Sequence, residues 1–376
     1  MSLAGHKRDL AMCAFCPKMC RFACPVAEAE HREAVTPAWK MIQTECLRSG
    51  VGPDTPQAAE VVNHCLACLH CRTYCRHGVD VPGALLAARA QLLLLRRQHG
   101  SVSEILRRFR EYRNPLGEDL AQNLARFVPQ ELQVPEAQVV LFAGCQALRS
   151  ESLIAAAVKV LAALGVDVVG VFAGDDLCCG APLWHLGDRR QFATHAARLR
   201  RQLGGARRVL CLCPTCEETL QNLYPEAGQA LGAKVQDLAE WLEPRLTPDV
   251  PIHKLDGSFT YHDPCYAARY RNRTEPPRRL LARILAEPLR ETAGSREDTV
   301  CCGGGGGLPW ILPETGAAAA RRRLTQLLST GAERIATSCP GCRRMLGEAG
   351  GKALDVIELL AEALVGSSDP TSVEKP

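Results

Sequence analysis

The second half of the chain repeats one pattern of five cysteines, and this repeat constrains fold and function more than any other feature. In each copy a lone cysteine is followed by Cys-Cys-Gly and then by Cys-Pro-x-Cys. The first copy contains Cys145, Cys178, Cys179, Cys213 and Cys216, and the second contains Cys265, Cys301, Cys302, Cys339 and Cys342. A structural zinc ion takes four ligands in a tetrahedron. Five thiols, two of them adjacent in sequence, therefore indicate a site with more than one metal atom.

The number of cysteines points to metal binding rather than to disulfides. The chain has 376 residues, which is enough for several domains with cores of their own, and 20 of these residues are cysteines. Its N-terminus lacks the apolar core of a signal peptide, and no apolar run has the length of a membrane helix. We therefore expect a cytoplasmic protein without a membrane span of its own, in which the thiols stay reduced and available to metal.

The basic residues leave several kinds of partner open. The formal net charge is +4, and arginines are dense at residues 269–279 and 321–323. Solvated helix faces explain such runs in most proteins. The alternatives are compensation for negatively charged thiolate-ligated clusters and a docking face for an acidic redox partner. Aromatic residues make up 5% of the chain and no nucleic-acid-binding motif is present, so a nucleic-acid partner is not expected.

The N-terminal third is predicted to be helical. Apolar spacing predicts short helices over residues 27–32 and 58–63 and a long helical stretch over residues 81–113. The sequence Asn-Pro-Leu-Gly at residues 114–117 should end that stretch. A further helical segment leads to Pro129 and Pro135. We therefore place the first domain, with its helical linker, at residues 1–117.

After Pro135 strands and helices alternate, and the alternation occurs twice. Strands are predicted at residues 138–143, 166–172, 208–212, 258–262 and 334–337, and helices at 152–165, 192–203, 278–286, 314–330 and 353–364. Such alternation is typical of an α/β fold with mostly parallel sheets. The repeat indicates an internal duplication, with one Cys-Cys-Gly domain at residues 136–250 and a second at residues 251–376.

The cysteines of both copies fall where ligands bind in such folds. Cys145, Cys213, Cys265 and Cys339 each follow a predicted strand at its carboxyl end, and Cys-Cys-Gly follows another strand in the first copy and, by the repeat, in the second. Open α/β sheets bind ligands in the crevice at the carboxyl ends of their strands. We therefore expect the five thiols of each domain to converge at one edge of its sheet.

Two further cysteine groups lie in the N-terminal third, at Cys13, Cys16, Cys20 and Cys24 and at Cys65, Cys68, Cys71 and Cys75. The second group has the spacing of bacterial two-cluster ferredoxins, in which the fourth cysteine of each motif serves the other cluster. That logic assigns one [4Fe–4S] cluster to Cys13, Cys16, Cys20 and Cys75, and the other to Cys65, Cys68, Cys71 and Cys24. A pair of zinc sites is the alternative, and the dense spacing favours iron–sulfur clusters.

Glycines follow both Cys-Cys pairs, and the candidates for cofactor contact are Gly180, Gly303, Gly304 and Gly305. Glycine lets the backbone approach a cluster closely and present N–H groups to its sulfides. The alternative is a dinucleotide-binding loop, but no Gly-x-Gly-x-x-Gly occurs there in a strand–turn–helix context.

Ferredoxin motifs followed by two Cys-Cys-Gly domains resemble the catalytic iron–sulfur subunits of heterodisulfide reductases. They also resemble the iron–sulfur subunits of glycolate oxidase and anaerobic glycerol-3-phosphate dehydrogenase. The resemblance covers nearly the whole chain, including residues 114–117 and the Tyr-His-Asp-Pro-Cys segment at 261–265. It implies a mostly helical ferredoxin-like domain. It also implies that each five-cysteine set holds a noncubane [4Fe–4S] cluster and that the two clusters together cleave a disulfide.

The function implied by this resemblance is that of an iron–sulfur subunit of a multi-subunit oxidoreductase. Electrons would pass through the ferredoxin-type clusters to the Cys-Cys-Gly sites. The residues expected to take part in catalysis are Cys265, Cys301, Cys302, Cys339, Cys342 and His262. His262 is expected either to donate a proton or to fix its loop by a hydrogen bond.

No flavin or nicotinamide fingerprint is present, so electrons should pass through another subunit. A flavoprotein, a membrane cytochrome or a quinone-linked subunit would serve, and such a partner could hold the protein at the inner membrane. One alternative function is electron transfer from a flavin dehydrogenase of the glycolate or glycerol-3-phosphate type towards quinone. A second alternative is a zinc-stabilised assembly protein without catalysis.

The remaining cysteines and histidines are assigned structural roles. Cys46 and Cys211 are predicted to be buried and inert. His64 and His70 should support the ferredoxin motif or lie at the surface, and His185 should be structural.

Overall fold

Two parallel β-sheets carry the two cysteine sets, and a helical region packs against both. The computed structural model describes residues 3–16, 18–51, 60–133, 137–166 and 169–364. The strands within these ranges are β1 (Val139–Phe142), β2 (Val169–Val171), β3 (Arg208–Cys211), β4 (Lys234–Asp237), β5 (Phe259–His262), β6 (Arg334–Thr337) and β7 (Ala353–Asp355). The first sheet has the order β2-β1-β3-β4 and the second the order β5-β6-β7, and all pairs are parallel. The fold is therefore a duplicated α/β arrangement, as predicted.

Helices cover the sheets and form the N-terminal region. The α-helices are α1 (Lys7–Phe15), α2 (Pro25–Glu30), α3 (Pro37–Ser49), α4 (His70–Thr73), α5 (Val81–Leu94), α6 (Gly100–Tyr112), α7 (Leu120–Phe127), α8 (Gly144–Ala147), α9 (Glu151–Ala163), α10 (Ala181–Leu186), α11 (Arg189–Gln202), α12 (Pro214–Glu218), α13 (Tyr224–Glu226), α14 (Leu238–Leu242), α15 (Glu275–Ile284), α16 (Leu308–Ile311), α17 (Pro313–Leu328), α18 (Pro340–Glu348) and α19 (Val356–Leu364). Short 3₁₀ turns occur at Leu3–His6, Met19–Ala23, Glu33–Val35, Val61–Asn63, Gln130–Leu132, Glu243–Arg245 and Arg296–Asp298. Two π-helical turns, Thr219–Leu223 and Tyr266–Tyr270, lie beside the cysteine sets.

The central strands are almost fully buried, and their sequences are therefore continuous apolar runs. In β1 and β3 only the first residue is partly exposed, and helices cover both faces of parallel sheets of this kind. Helix α9 and helix α19 pack against each other, so the two α/β units form one continuous apolar core. The carboxyl ends of the strands of both sheets are left for the cysteine-bearing loops.

Several sequence predictions need correction. The stretch 81–113 is two helices, because Arg96 adopts a left-handed conformation with φ of 58° and the ring of His99 caps α6. Residues 353–364 begin with a strand, β7, and Asp355 then accepts a hydrogen bond from the N–H of Ile357 at the start of α19. Strand β4 escaped prediction because Lys234 and Gln236 face outward, leaving two buried positions.

The second copy also lacks the strand that was expected before its Cys-Cys-Gly. Among the described residues, the second sheet has three strands rather than four. The segment beside β5 makes an isolated bridge between Leu255 and Leu285 and a hydrogen bond from Arg290 N–H to the Phe259 carbonyl. In the predicted helix 58–63, residues 61–63 form a 3₁₀ turn, while residues 58 and 59 lie outside the described residues.

Arg89, which interrupts the apolar run of α5, joins the helical region to both α/β units. It is buried, and its guanidinium donates to the backbone carbonyls of Val62, Asn63, Cys65, His185 and Gly306. These carbonyls belong to the N-terminal region, to the first copy and to the second copy. One side chain therefore fixes the relative position of the three parts.

Candidate functional site

The eight cysteines of the N-terminal region form two groups of four. Cys13, Cys16, Cys20 and Cys75 line one small cavity, which also touches Cys71. Cys24, Cys65, Cys68 and Cys71 line another. We call these groups the outer site and the inner site, because Cys16, Cys20 and Cys75 are partly exposed whereas all four inner cysteines are buried. The fourth cysteine of each motif thus lies with the first three of the other.

Nine of the ten cysteines of the two repeats, all but Cys178, line one cavity of ≈ 90 Å³. We call the group from the first copy the first site and the group from the second copy the second site. The cavity is lined by Cys145, Cys179, Cys213 and Cys216 and by Cys265, Cys301, Cys302, Cys339 and Cys342. The thiols of Cys213 and Cys339 adjoin, so the two sites meet directly.

The second site is also the neighbour of the inner site. The thiol of Cys301 adjoins that of Cys68. Arg269 reinforces this junction, because its Nε donates to the carbonyl of Cys68 at 2.5 Å and its Nη1 donates to the carbonyl of Thr299 at 2.7 Å. The four groups of cysteines therefore follow one another in the order outer site, inner site, second site, first site.

The glycines following the Cys-Cys pairs serve two different purposes. Gly180 and Gly303 occupy the left-handed region in both copies, with φ of 81° and 85°. A Cβ at Gly305 or Gly306 would collide with the backbone of Leu66 or Cys65. The glycine run of the second copy therefore lets its backbone pack against the ferredoxin motif, a reason that the sequence analysis did not anticipate. A Cβ at Gly304 would lie 3.5 Å from the sulfur of Cys302, and the role of Gly304 in cofactor contact stays a prediction.

His262 belongs to the second site and its tautomer is set by Arg323. The Nε of Arg323 donates to Nδ1 of His262 at 3.1 Å, and burial lowers the pKa of the imidazole. Because arginine stays protonated, Nδ1 must accept, and the neutral ring carries its proton on Nε2. Nε2 has no hydrogen-bond partner in the described part of the chain. A nitrogen of this ring and the sulfurs of Cys302 and Cys342 lie within 4.8 Å of one another.

With its proton on Nε2, His262 can donate a hydrogen bond to a nearby sulfur. The neighbouring Asp263 is held by two hydrogen bonds from Arg278, at 2.6 and 2.8 Å, and by the N–H of Arg296 at 2.8 Å. Its carboxylate thus fixes the loop that presents Cys265.

The first site is surrounded by different groups. His195 Nε2 donates to the carbonyl of Cys178 at 2.7 Å, and the hydroxyl of Tyr224 donates to the carbonyl of Cys179 at 3.1 Å. Asp176 is paired with Arg198 behind them. These side chains donate hydrogen bonds to backbone carbonyls of the Cys-Cys-Gly loop, and these bonds fix the loop that carries the two cysteines.

Between the two sites, His185 and Tyr266 line the cavity. Nε2 of His185 and the hydroxyl of Tyr266 are 2.7 Å apart. Burial and the charge of Arg89 lower the pKa of His185 to about 3, so the imidazole is neutral near neutral pH. His185, predicted to be structural, therefore lies within the shared cavity.

The donor sets fit iron–sulfur clusters. Burial and the nearby thiols of Cys20 and Cys75 raise the pKa of Cys13 to about 12, so four such thiols do not ionise together unless cations are present. Thiolate is the ligand of iron–sulfur clusters. The inner site also has a buried cation, because Lys40 Nζ donates to Cys24 Sγ at 3.4 Å. The sequence shows Arg89 inside an apolar run, but the contacts of Arg89 and Lys40 could not be predicted because their partners come from distant segments.

The remaining predictions have mixed outcomes. Cys211 is buried at the end of β3, as predicted. The prediction that Cys46 is buried was wrong, because it is half-exposed on α3. His64 is buried and its Nδ1 lies 2.8 Å from Glu30. His70 is buried and burial lowers its pKa to about 4. No helix in the described ranges is both long and apolar enough to cross a membrane.

Comparison with known proteins identifies the repeated unit. Residues 139–221 and 259–347 match the CCG family, described as "Cysteine-rich domain". The chain is 30% identical over 325 residues to a subunit of the dihydromethanophenazine:CoB–CoM heterodisulfide reductase of Methanosarcina barkeri, an alignment that covers 81% of this chain and 78% of that protein.

Two further similarities are more limited. The EtfAB:quinone oxidoreductase of Syntrophomonas wolfei is 28% identical over 254 residues, covering 61% of this chain but only 35% of that protein. A crystal structure of a hypothetical protein from Helicobacter pylori covers 98% of this chain and 77% of its own length, with a TM-score of 0.57 and 10% identity. The latter is a likeness of fold alone.

Proposed function

We propose that this protein reduces a disulfide in the cavity between its two cysteine-rich domains. The chain belongs to a family of iron–sulfur oxidoreductase subunits that includes a heterodisulfide reductase subunit. The observation that carries this proposal is that four cysteines of the first set and all five of the second line that one cavity. Two ferredoxin-type [4Fe–4S] clusters would be held at the outer and inner sites, and two noncubane [4Fe–4S] clusters at the second and first sites.

The order of the four sites supports this function. The outer site is the one with partly exposed cysteines, and from there each site adjoins the next. When bound, the clusters would supply single electrons. Cleavage of a disulfide takes two electrons and yields two thiolates, which become two thiols on gaining two protons. A substrate lying between the first and second sites would have one sulfur towards each.

Several residues besides the cysteines line the cavity. Pro182 and Trp310 contribute apolar walls, and the paired His185 and Tyr266 place one hydroxyl and one imidazole at its lining. A neutral His185 can accept the hydrogen bond of Tyr266. The N–H of His262 would stabilise negative charge on the sulfurs of the second site.

Metal and sulfide analysis of the purified protein tests the proposed cofactors. We expect about four iron atoms and four acid-labile sulfides per cluster, with ferredoxin-type EPR signals and a separate signal that responds to added thiol or disulfide. Abundant zinc with little iron would instead support the assembly-protein alternative.

The reaction itself is tested with reduced methyl viologen as electron donor and a small disulfide as acceptor. We expect two viologen radicals to be oxidised for each disulfide and two thiols to appear. A protein that holds its clusters but gives no disulfide-dependent oxidation would contradict the proposal.

A second candidate function is transfer of electrons between a flavoprotein and quinone, which the similarity to EtfAB:quinone oxidoreductase favours. In that case the partner would be a flavin dehydrogenase, and a membrane cytochrome or quinone-linked subunit would complete the complex. Reduction of a soluble quinone by the viologen-reduced protein, with no reaction towards disulfide, would select this function over the first.

A further inference from the structure

Large apolar side chains are exposed next to cysteines of the outer site. The proposed electron relay, which runs from the outer site through the inner and second sites to the first, does not explain them. The most exposed large apolar side chains of the described residues include Phe15 at 92%, Phe22 at 74% and Met19 at 61%. All three lie within the first ferredoxin motif, next to Cys16, Cys20 or Ala23. Surface side chains of this size are scattered singly in most proteins, and grouped ones mark interaction sites.

A second segment extends the same surface. The 3₁₀ turn Met19–Ala23 contacts α4, and Tyr74, which follows α4, is 47% exposed and lines a surface cavity together with Phe22. We call Phe15, Met19, Phe22 and Tyr74 the apolar patch. Phe15, Met19 and Tyr74 are the sequence neighbours of Cys16, Cys20 and Cys75, which are the partly exposed residues among the predicted cluster ligands.

The rim of the patch is basic. Arg72 and Arg76 are exposed on either side of Tyr74 and Cys75, and Arg21 is exposed beside Phe22, where it also pairs with Glu33. Interfaces are enriched in aromatic residues, methionine and arginine. An apolar centre with a basic rim is complementary to a partner with an apolar centre and an acidic rim.

We propose that the apolar patch is the docking surface for an acidic, one-electron-carrying protein that delivers electrons to the outer site. The proposal rests on the relay put forward above and adds where the relay is entered and by what kind of partner. A protein carrier is favoured over a lipid surface, because the patch residues adjoin the partly exposed cysteines of the outer site in sequence, and a lipid surface would deliver no electrons to them. In each encounter one electron leaves the carrier, which is oxidised by one electron, and the outer site is reduced by one.

The experiment compares two donors of different size and charge. The reconstituted, oxidised protein is mixed in a stopped-flow instrument with an acidic flavodoxin in its hydroquinone form, or with reduced methyl viologen. The test variant is Phe15→Ser/Met19→Ser/Phe22→Ser. The matched control is Leu94→Ser/Leu95→Ser/Tyr112→Ser, whose side chains are 85%, 54% and 48% exposed. Leu94 lies at the far end of α5, roughly 20 Å along that helix from Val81, which lines the outer site.

We expect the test variant to lose about tenfold or more in its second-order rate constant with flavodoxin and to react normally with methyl viologen. The control variant should react normally with both donors. The flavodoxin rate should fall as salt is added, and Arg72→Glu/Arg76→Glu should slow it and weaken that salt dependence.

Three results would overturn the proposal. The first is a normal flavodoxin rate in the test variant. The second is an equal loss with both donors, which would place the defect in the outer site itself. The third is binding to anionic phospholipid vesicles that the test variant abolishes while its flavodoxin rate stays normal. A wild-type protein that methyl viologen fails to reduce would instead contradict the relay, so the two failures are distinguishable.

Discussion

The two cysteine-rich domains present the same five thiols in different surroundings. Three residues before the lone cysteine, at the end of the corresponding strand, the first domain has Phe142 and the second has His262. Phe142 packs against Phe172, whereas His262 accepts from Arg323 and lies beside Cys302 and Cys342. Duplication has thus kept the five cysteines and changed the polar groups around them.

The two cysteine-rich domains also differ in their position relative to the ferredoxin motifs. The second domain contacts the ferredoxin motif through the Cys68–Cys301 pair and through its glycine run, while the first meets the relay through Cys213 and Cys339. Hydrogen bonds to sulfur and nearby cations raise the potential of a cluster. These surroundings would raise the potential of a cluster at the second site and so favour its reduction by the inner site, while position alone would place the first site at the end of the proposed path.

The largest effect expected from this comparison is an asymmetry between equivalent cysteines. Cys301→Ser should abolish the signal of the second site and also stop reduction of the first, because the path to it runs through the second. Cys178→Ser, the matched change in the first domain, should abolish only the signal of the first site. EPR spectra of both variants, recorded after stepwise reduction, show which cluster signals each variant has lost. If the first site is reduced normally in Cys301→Ser, the order of sites is wrong.

A second prediction concerns Arg89, which holds both domains to the N-terminal region. Replacing it in Arg89→Met leaves buried carbonyls without a donor, so the free energy of unfolding should fall by at least about 3 kcal/mol. Arg96→Met, an exposed change just beyond the end of α5, should alter it by less than about 0.5 kcal/mol. Chemical denaturation of the reconstituted wild-type protein and the two variants measures these free energies of unfolding. Equal stabilities would mean that Arg89 does not hold the three parts together.

The glycine run offers a smaller test of the same junction. Gly306→Ala puts a side chain at φ of 61° against the backbone of Cys65 and Leu66, and should cost about 2 kcal/mol of stability. Gly304 lies outside the left-handed region, and a Cβ there would meet the flexible side chain of Met345 at 3.1 Å. The equivalent position in the first domain is Ala181. Thermal unfolding should therefore show Gly304→Ala near wild type. Similar losses in both variants would contradict the packing argument.

Sequence patterns predicted the parts of this molecule that depend on local spacing. The alternation of strands and helices, the duplication and the placement of Cys145, Cys213, Cys265 and Cys339 after strands all follow from local pattern. Strand β7 escaped because Ala353, Leu354 and Asp355 suit a helix equally well, and only pairing with β6 makes them a strand. Gly305, Gly306, Lys40 and Arg89 owe their roles to contacts with distant segments, which no local window contains.

The smallest effect should come from exchanging the residue that distinguishes the two sites. His262→Phe gives the second domain the side chain of the first and removes the N–H that faces Cys302 and Cys342. Groups that hydrogen-bond metal ligands contribute about 10–100-fold to metal affinity or activity, and we expect the lower end here because all five thiols remain. The reduction potential of the second site should fall towards that of the first, with the ferredoxin-type signals unchanged, in a redox titration followed by EPR. His262→Gln, which keeps an N–H donor, should restore part of the difference; a potential unaffected by either change would show that position, not charge, distinguishes the two domains.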